Sequence, residues 1–394
     1  MRSAPTTSLD LSSAAFAADP YPSFAQERHR HEIAWSGSTG PAGTWLTFSH
    51  AAASAVLRDR RLQRLWRDRT PEDQLEPFNL LHRNQMMENE PPVHTRLRRP
   101  VAAAFNRGHV ERLRPRVRAL AAQLLDEVDP SAGFDVIGSY AEPLPVLVIA
   151  ELLGVPATYA PQLRDWSQAI VRMYEVAPSQ ATIDAAVAAA ADFAGLVREL
   201  VAERRTQPAD DLISDLVATE LTEGLSDDEV VASVVLLLNA GHEASVNVFG
   251  NGLVSMLRAG ARPADDTALT VEEMLRHDSA LQLFERTAVE PVEILGVTVE
   301  PGQKVAALLG AANRDPAVFD AADEFRPDRD PNPHLAFSAG IHFCLGAPLA
   351  RMELTESLAA LFARFPRLAL AAEPESRGTF VLKGYRKVVV SGGA

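Results

Sequence analysis

A long apolar stretch from about Asp227 to Arg258 limits the possible folds more than any other part of the sequence. Its hydrophobic residues recur at three- and four-residue spacing, and Ser226, a typical N-cap residue, directly precedes it. The pattern predicts one helix of roughly 30 residues and ~45 Å, long enough to cross a whole domain. The rest of the chain must therefore pack around this helix.

Other segments carry weaker but readable patterns. Helical spacing recurs over residues 116–128 and 181–205, and strand patterns occur within residues 43–49, 292–310 and 379–390. No Ser/Gly-rich or charged linker and no internal repeat divides the 394 residues. We predict a mainly α, helix-rich α+β protein with small sheets at its edges, folded as a single domain over residues 1–394.

Composition excludes several classes of partner. A net charge of −14 argues against nucleic acid as the main partner. The longest apolar run, Val230 to Gly241, is far shorter than the ~20 residues that a membrane span needs, and the first twenty residues lack the apolar core of a secretory signal. A single cysteine fits a reducing compartment. We expect a soluble, cytoplasmic protein.

That single cysteine, Cys344, lies in the segment "FSAGIHFCLG". A lone cysteine is either an inert apolar residue or a working thiolate. Helical spacing downstream predicts a helix that opens near Pro348, and the dipole of a helix N-terminus favours a thiolate just before it. Gly340 and Gly346 lack a Cβ, so a flat, bulky group could approach the backbone closely. We interpret the segment as a loop that offers a thiolate to a metal.

The long helix contains an acid in the segment "LLLNAGHEASVN". Glu243 puts a carboxylate in the middle of an apolar helix, where an unpaired charge is expensive. The small residues Ala240 and Gly241 precede it and favour a bend against a ligand. We expect Glu243 to handle protons, whereas a solvated stripe is a sufficient explanation for His242.

Two further groups of charged residues need an explanation. Glu273 and Arg276 share a helix face, and Arg329 supplies a second guanidinium that could close a buried network behind the cysteine loop. Taken alone, the first pair would be a surface salt bridge of little value. Four residues with cationic side chains accompany the cysteine and together suggest a dianionic cofactor: His94, Arg98, Arg286 and His342.

Taken together, these motifs resemble the cytochrome P450 family of haem-thiolate enzymes in its soluble bacterial form. "FSAGIHFCLG" matches the family signature Phe-x-x-Gly-x-His-x-Cys-x-Gly at every fixed position, and "EMLR" matches its Glu-x-x-Arg motif. The resemblance covers nearly the whole chain, from about Asp19 to the closing strands. It implies the cytochrome P450 fold, with haem b between the long central helix and the helix after the cysteine loop.

The resemblance also implies roles for individual residues. Cys344 would be the axial ligand of the haem iron, and Arg329 would complete a buried triad with Glu273 and Arg276. The haem propionates would be held by His94, Arg98, Arg286 and His342. The substrate pocket would use a loop over residues 66–87, a lid over residues 171–180, and the following side chains: Leu236, Asn239, Ala240, Leu283, Phe284 and Phe380.

The implied activity is O2-dependent oxidation of a hydrophobic or amphipathic small molecule, with hydroxylation in bacterial secondary metabolism as the first expectation. Electrons would come from NAD(P)H through a ferredoxin reductase and a ferredoxin to a monomeric enzyme. A run of six arginines from Arg58 to Arg69 is either a solvated helix face or a dock for that acidic ferredoxin.

One position departs from the family pattern. The central-helix motif usually reads Ala-Gly-x-(Asp/Glu)-Thr, with the threonine hydroxyl beside the site of oxygen activation, but Ala244 occupies that slot. Ser245 cannot simply substitute, because it lies ~100° further around the helix. We hypothesise that an ordered water or a substrate hydroxyl completes the proton relay from Glu243, and Asn247, four residues on, could hold the water.

Several alternatives stay open at this point. Coupling or desaturation without oxygen insertion would also explain the missing hydroxyl, as would neutral drift at position 244. A peroxygenase would use hydrogen peroxide directly. A haem protein that binds a ligand without turnover belongs to another class, and a haem-free enzyme would use Cys344 as a nucleophile with His342 as its base.

Overall fold

The computed structural model describes residues 4–38, 43–105, 107–129, 133–175 and 178–392. Its α-helices are α1 (Ala14–Ala18), α2 (Tyr21–Arg30), α3 (His50–Arg58), α4 (Glu72–Arg83), α5 (Val93–Ala104), α6 (Arg107–Asp126), α7 (Pro143–Leu153), α8 (Ala160–Val171), α9 (Gln180–Thr206), α10 (Leu212–Glu223), α11 (Asp227–Arg258), α12 (Thr267–His277), α13 (Leu309–Ala312) and α14 (Ala347–Arg364). A π-helical turn covers Ile137–Ala141, and short 3-10 turns include Arg172–Tyr174 and Gly340–His342.

The strands are short and lie at the edge of the helical body. They are β1 (Thr6–Thr7), β2 (Ile33–Ser36), β3 (Thr44–Thr47), β4 (Leu62–Gln63), β5 (Phe134–Asp135), β6 (Leu283–Ala288), β7 (Val292–Ile294), β8 (Val297–Val299), β9 (Lys304–Leu308), β10 (Ala369–Leu370), β11 (Glu375–Ser376), β12 (Tyr385–Lys387) and β13 (Val389–Ser391). Six form one mixed sheet in the order β1-β2-β3-β9-β6-β4, and the others form sheets of two or three strands. The expected helix-rich fold class is confirmed.

Helix α11 is the central element, as its sequence pattern predicted. It begins after Ser226, whose hydroxyl accepts a hydrogen bond from the Glu229 amide while the Glu229 carboxylate accepts one from the Ser226 amide. It packs against α4, α7, α8, α9 and α12. By length and composition α11 could cross a membrane, but 72% of its most apolar window is buried inside the protein, as is typical of a core helix.

Apolar side chains of the described residues form three separate cores. The main core lies among the helices around α11, and a second core lies between the large sheet and α3. A third core, which we call the N-terminal core, joins residues from both ends of the chain, including Phe16, Phe24 and Phe380. The rings of Phe16 and Phe380 lie 4.8 Å apart, centroid to centroid.

Two predictions about local structure were wrong. Residues 66–87 were expected to form a loop, but they contain α4, whose side chains of Leu75, Phe78 and Leu81 are buried at three-residue spacing even though Pro77 lies inside the helix. His242 was expected on a solvated stripe, yet it is only 1% exposed. The packing of α7, α8 and α9 around α11 leaves almost no solvated stripe on that helix.

Candidate active site

The cysteine loop is tightly folded. The Cys344 amide donates a hydrogen bond to the Phe337 carbonyl at 2.9 Å, and α14 begins three residues after Cys344, with Pro348 in its first turn. Gly340 has a φ of +70°, and a Cβ there would lie 2.5 Å from the Leu57 carbonyl oxygen. This position therefore requires glycine for both its conformation and its close contact.

The thiol of Cys344 is partly buried beside α14. Burial raises the pKa of the Cys344 thiol. The N–H groups of Gly346 and Ala347, which bond to the sulfur, and the charges of Arg98 and Arg351 lower this pKa, but by less. The N–H groups at the helix N-terminus thus bond to the sulfur as expected. A metal cation held by Cys344 would favour the thiolate further, because metal-bound thiols lose their proton outright.

A face of α11 is accessible in the middle of the protein. Ala240 is exposed, and Gly241 and Ala244 are partly exposed, while the residues on either side of this segment are buried. Small side chains at positions i, i+1 and i+4 share one side of a helix. An accessible patch in the middle of a core helix borders an internal space, as a flat cofactor would require.

Four side chains were expected to hold the cofactor's carboxylates. His94 is 4% exposed, and its Nε2 has no hydrogen-bond partner among the described residues. Its ring centroid lies 4.6 Å from that of His342, and Arg98 Nη2 donates to the Phe343 carbonyl at 2.7 Å. Arg286 is 2% exposed, and burial lowers the pKa of its guanidinium to about 9.

This donor set fits haem propionates. Among the described residues, the Arg286 side chain makes one hydrogen bond, which it donates to the neighbouring Glu285 carbonyl at 2.9 Å. The charges of Glu90 and Glu88 act on this buried guanidinium, but among the described residues neither carboxylate accepts a hydrogen bond from it, and the His94 Nε2 is unpaired there as well. The carboxylates of a haem would satisfy both side chains.

Glu90 is a residue of this cluster that the sequence did not reveal. Its Oε1 accepts hydrogen bonds from His342 Nε2 at 3.0 Å and from the Arg64 amide at 2.8 Å. His342 is thereby oriented toward Glu90 and the His94 ring, and the described contacts do not pair it with Cys344. The arrangement does not support the alternative in which His342 acts as a base for a cysteine nucleophile.

The buried network behind the cysteine loop comes together around Glu273. Arg276 donates to both carboxylate oxygens at 2.7 and 2.8 Å, and Arg329 Nε lies 3.1 and 3.2 Å from the same two atoms. The amide of Arg326 and the side chain of Asn332 also donate to this carboxylate. The remaining guanidinium N–H groups bond to carbonyl oxygens of residues 313–324, so the triad anchors the segment that leads to the cysteine loop.

The residues expected to handle protons are buried on α11. Glu243 is 2% exposed, and its Oε2 accepts a hydrogen bond from Arg377 Nη1 at 3.0 Å. Its Oε1 lies 3.4 Å from His242 Nδ1 and has no hydrogen-bond partner within the described ranges. Burial raises the pKa of Glu243, and the nearby Arg377 charge opposes that shift. Asn247 is 1% exposed, and both atoms of its amide are also unpartnered there. Buried polar atoms of this kind usually bind ordered water.

The expected pocket residues fall into two groups. Leu236, Asn239 and Ala240 belong to α11, and Phe284 shares a strand face with Arg286, whose guanidinium lies 5.7 Å from its ring centroid. Leu283 points to the other face of β6 and packs against the N-terminal core, where Phe380 is also buried. The prediction that Leu283 and Phe380 line the pocket is therefore not supported. Successive strand residues face opposite sides, and the sequence did not show which side borders the pocket.

The expected lid is tied down at successive residues. Arg69 Nη2 donates to the Met173 carbonyl at 3.0 Å, and the Tyr174 hydroxyl lies 3.0 Å from His82 Nε2. The His82 ring stacks on Phe78, with centroids 3.9 Å apart, and burial lowers the pKa of His82 to about 4.

Glu175 provides a further tie between the lid and the C-terminal segment. Its carboxylate accepts hydrogen bonds from the amides of residues 380–382 at 3.2 to 3.5 Å. Residues 176 and 177 of the expected lid lie outside the described ranges. The lid residues 173–175 therefore contact both the α4 region and the C-terminal loop.

The six-arginine run does not form one free cationic surface. Arg61 pairs with Asp59 at 2.6 Å, Arg64 pairs with Glu88, and Arg69 reaches the lid. The side chain of residue 67 is exposed, and the exposed side chains of residues 58 and 60 border a cleft beside the cysteine loop with Glu90, Arg286 and His342. A partner dock at this place would use a smaller part of the run than the sequence suggested.

Comparison with known proteins finds relatives over most of the chain. The sequence profile of the family described as cytochrome P450 matches residues 267–379. The chain is 39% identical to cytochrome P450 monooxygenase PikC of Streptomyces venezuelae, over 94% of this chain and 90% of the relative. It is 37% identical to 6-deoxyerythronolide B hydroxylase of Saccharopolyspora erythraea, over 96% and 97%. The crystal structure of myxobacterial cytochrome P450 CYP267B1 in complex with myristic acid superimposes with a TM-score of 0.89 at 33% identity, covering 98% of this chain and 99% of the other.

Proposed function

Because this chain belongs to the cytochrome P450 family of haem-thiolate monooxygenases, we propose that it hydroxylates a hydrophobic or amphipathic metabolite. This metabolite would bind beside the accessible face of α11 at Ala240. The observation that carries the proposal is the combination of the Cys344 loop with an accessible small-residue face in the middle of α11. Residues 1–394 would act as one soluble, cytoplasmic, monomeric domain. The family requires redox partners, and we propose a ferredoxin and its NAD(P)H-dependent reductase.

The proposed cofactor is haem b, bound through Cys344. When bound, the haem would supply oxygen activation, which the Cys344 thiolate would promote by donating electron density to the iron. The unpaired Nε2 of His94 and the buried, nearly unpartnered Arg286 support their assignment to the propionates. Arg98 and His342 would complete the set after giving up their present contacts to the loop and to Glu90.

Protein groups would supply the protons. Glu243 is buried, and when it is protonated its Oε1, which has no hydrogen-bond partner among the described residues, can donate a hydrogen bond. Ala244 has no hydroxyl to pass that proton on, so a water held by the unpartnered amide of Asn247, or a hydroxyl of the substrate, completes the path. This role of Asn247 rests on its burial and on its position one turn beyond Glu243.

The substrate should be a large, mostly apolar molecule. Leu236, Asn239, Ala240 and Phe284 would contact it, and the unpartnered Asn239 Oδ1 could accept a hydrogen bond from a substrate hydroxyl. The relative named polyketide biosynthesis cytochrome P450 PksS, of Bacillus subtilis, which is 34% identical over 92% of this chain, makes polyketides the first class to test. Terpenoids and peptides are the next classes.

The deciding experiment combines the holoprotein with a surrogate ferredoxin, its reductase and NADPH under heavy-isotope oxygen. Products from a panel of polyketides, terpenoids and peptides are followed by mass spectrometry. A product that gains one labelled oxygen supports hydroxylation. A product that loses hydrogen without gaining label would replace hydroxylation by coupling or desaturation, which the missing hydroxyl at Ala244 would also fit. The Cys344→Ser variant serves as the control and should form neither product.

A further inference from the structure

Three charged side chains meet behind the α11 face that carries Glu243. Arg377 Nη1 donates to Glu243 at 3.0 Å, and its Nη2 lies 3.5 Å from Glu142 Oε1. Glu142 immediately precedes α7, whereas Arg377 follows β11 in the C-terminal hairpin. One guanidinium is therefore shared by two carboxylates from different elements.

The hairpin holds the Arg377 side chain in place. The Arg377 amide donates to the Gly384 carbonyl at 3.0 Å, and its Nε donates to the Tyr385 carbonyl at 3.3 Å. A Cβ at Gly384 would collide with Asn247 Oδ1, so this hairpin also covers the α11 face that presents Asn247. Glu142 is fixed from another side, because Gln168 Nε2 donates to its Oε1 at 2.5 Å.

The two carboxylates differ in their access to solvent. The Glu243 side chain is 3% exposed, whereas the side chains of Glu142 and Arg377 are 15% and 19% exposed. With both carboxylates ionised the triplet has one net negative charge, and burial makes that charge costly. One proton removes it. Burial favours that proton on Glu243, the more buried of the two carboxylates, and Arg377, which lies 3.0 Å from Glu243 and 3.5 Å from Glu142, can pair with either.

Other charged groups near Glu243 do not change this balance of charge. Arg172, in the 3-10 turn of the lid, favours the Glu243 carboxylate, but less strongly than Arg377 does. His242 Nδ1 lies 3.4 Å from Glu243, and burial lowers the pKa of His242 to about 3, so the ring is neutral at pH 7. Arg164 of α8 acts on His242 and also favours its neutral form.

We propose that Arg377 and Glu142 are positioning residues that control when Glu243 holds and when it releases a proton during oxygen activation. When Glu243 releases the proton toward the oxygen site, Arg377 stabilises the new carboxylate. When Glu243 takes up a proton from solvent, Glu142 keeps Arg377 paired. The partly exposed Arg377 and Glu142 mark the side from which that solvent proton arrives. This inference rests on the proposed function of Glu243 in proton delivery.

The test needs no substrate and no turnover. Infrared titration of the ferric holoprotein follows the carbonyl stretch of the protonated Glu243 carboxyl, which Glu243→Gln identifies by its loss. Arg377→Met removes the stabilising cation, so the band should persist to a pH about one unit or more higher. Glu142→Gln removes the competing carboxylate, so the band should disappear at lower pH. Shifts in the same direction, or none in either variant, would overturn the proposal.

Turnover provides a second readout with a matched control. Both variants should divert more reducing equivalents to hydrogen peroxide than the wild type, with the pH dependence of this leakage displaced in opposite directions, and Arg377→Lys should restore part of the coupling. Arg386→Met removes an exposed guanidinium from the same hairpin, where it pairs with Glu375, and should change neither titration nor leakage. A Soret spectrum typical of thiolate ligation separates a failure of haem binding from a failure of this inference.

Discussion

Replacing Glu273 by glutamine should destabilise the protein more than any exposed ion-pair substitution. The change leaves the shape of the side chain but removes the charge that two buried guanidinium groups share, since Arg276 and Arg329 are 0% and 5% exposed. Removing one partner of a buried ion pair costs about 3–5 kcal/mol, because the remaining charge stays buried. Against a typical stability of about 5–15 kcal/mol, this is a large loss.

Urea unfolding of the holoprotein measures the effect. With a slope near 3 kcal/mol per molar, the midpoint should fall by roughly 1 M or more. Far-ultraviolet circular dichroism and the Soret absorbance are followed together, because a bound cofactor can separate the two transitions.

Glu375→Gln is the matched control for this substitution. It makes the same chemical change in the exposed pair with Arg386, where the two side chains are 48% and 73% exposed. Such a pair contributes about 0–1 kcal/mol, so the midpoint should hardly move. If Glu273→Gln and Glu375→Gln had equal midpoints, the argument from buried charge would be refuted.

Three further predictions concern the proton path, the lid and acid stability. Ala244→Thr should leave product yield and peroxide leakage unchanged, because water or substrate already supplies the hydroxyl; a higher yield with less peroxide would contradict this. Glu175→Gln should speed substrate association and dissociation several-fold in stopped-flow Soret measurements, because an amide accepts weaker hydrogen bonds from residues 380–382; unchanged rates would argue against a tied lid. The pKa of His82 is lowered to about 4 in the folded protein, whereas the unfolded chain binds a proton at this histidine below about pH 6.5. The free energy of unfolding should therefore fall by roughly 3 kcal/mol in total as the pH drops from about 6.5 to about 4. His82→Gln should lose less urea stability between pH 7 and pH 4 than the wild type, and an equal loss would contradict the assignment.

Local patterns predicted those features that neighbouring residues decide. The bounds of α11 follow from its apolar spacing and from the cap at Ser226, and both depend only on residues within a few positions. The start of α14 follows in the same way from Pro348. The error at α4 came from the family resemblance, which implied a loop over residues 66–87; the helix that forms there contains Pro77 and packs against α9 and α11.

Which side of an element borders the active site could not be read from spacing. Leu283 and Phe284 are neighbours in β6 with similar side chains, yet one packs in the N-terminal core and the other lies beside Arg286. The choice depends on which layer covers each face of the sheet. Glu90 and Arg377 carry no recognisable motif, so only their contacts reveal them.

By itself the sequence determined the chemistry this protein can perform: one cysteine in a complete haem-loop signature, an acid in the central helix, and alanine in place of the usual threonine. The tertiary structure alone decided which further charged side chains lie beside these residues. Glu90 reaches His342 across 252 positions of the chain, and Arg377 reaches Glu243 across 134. Motifs record residues held together by the local backbone, whereas these pairs form because whole helices and hairpins pack together and bury their charges against each other.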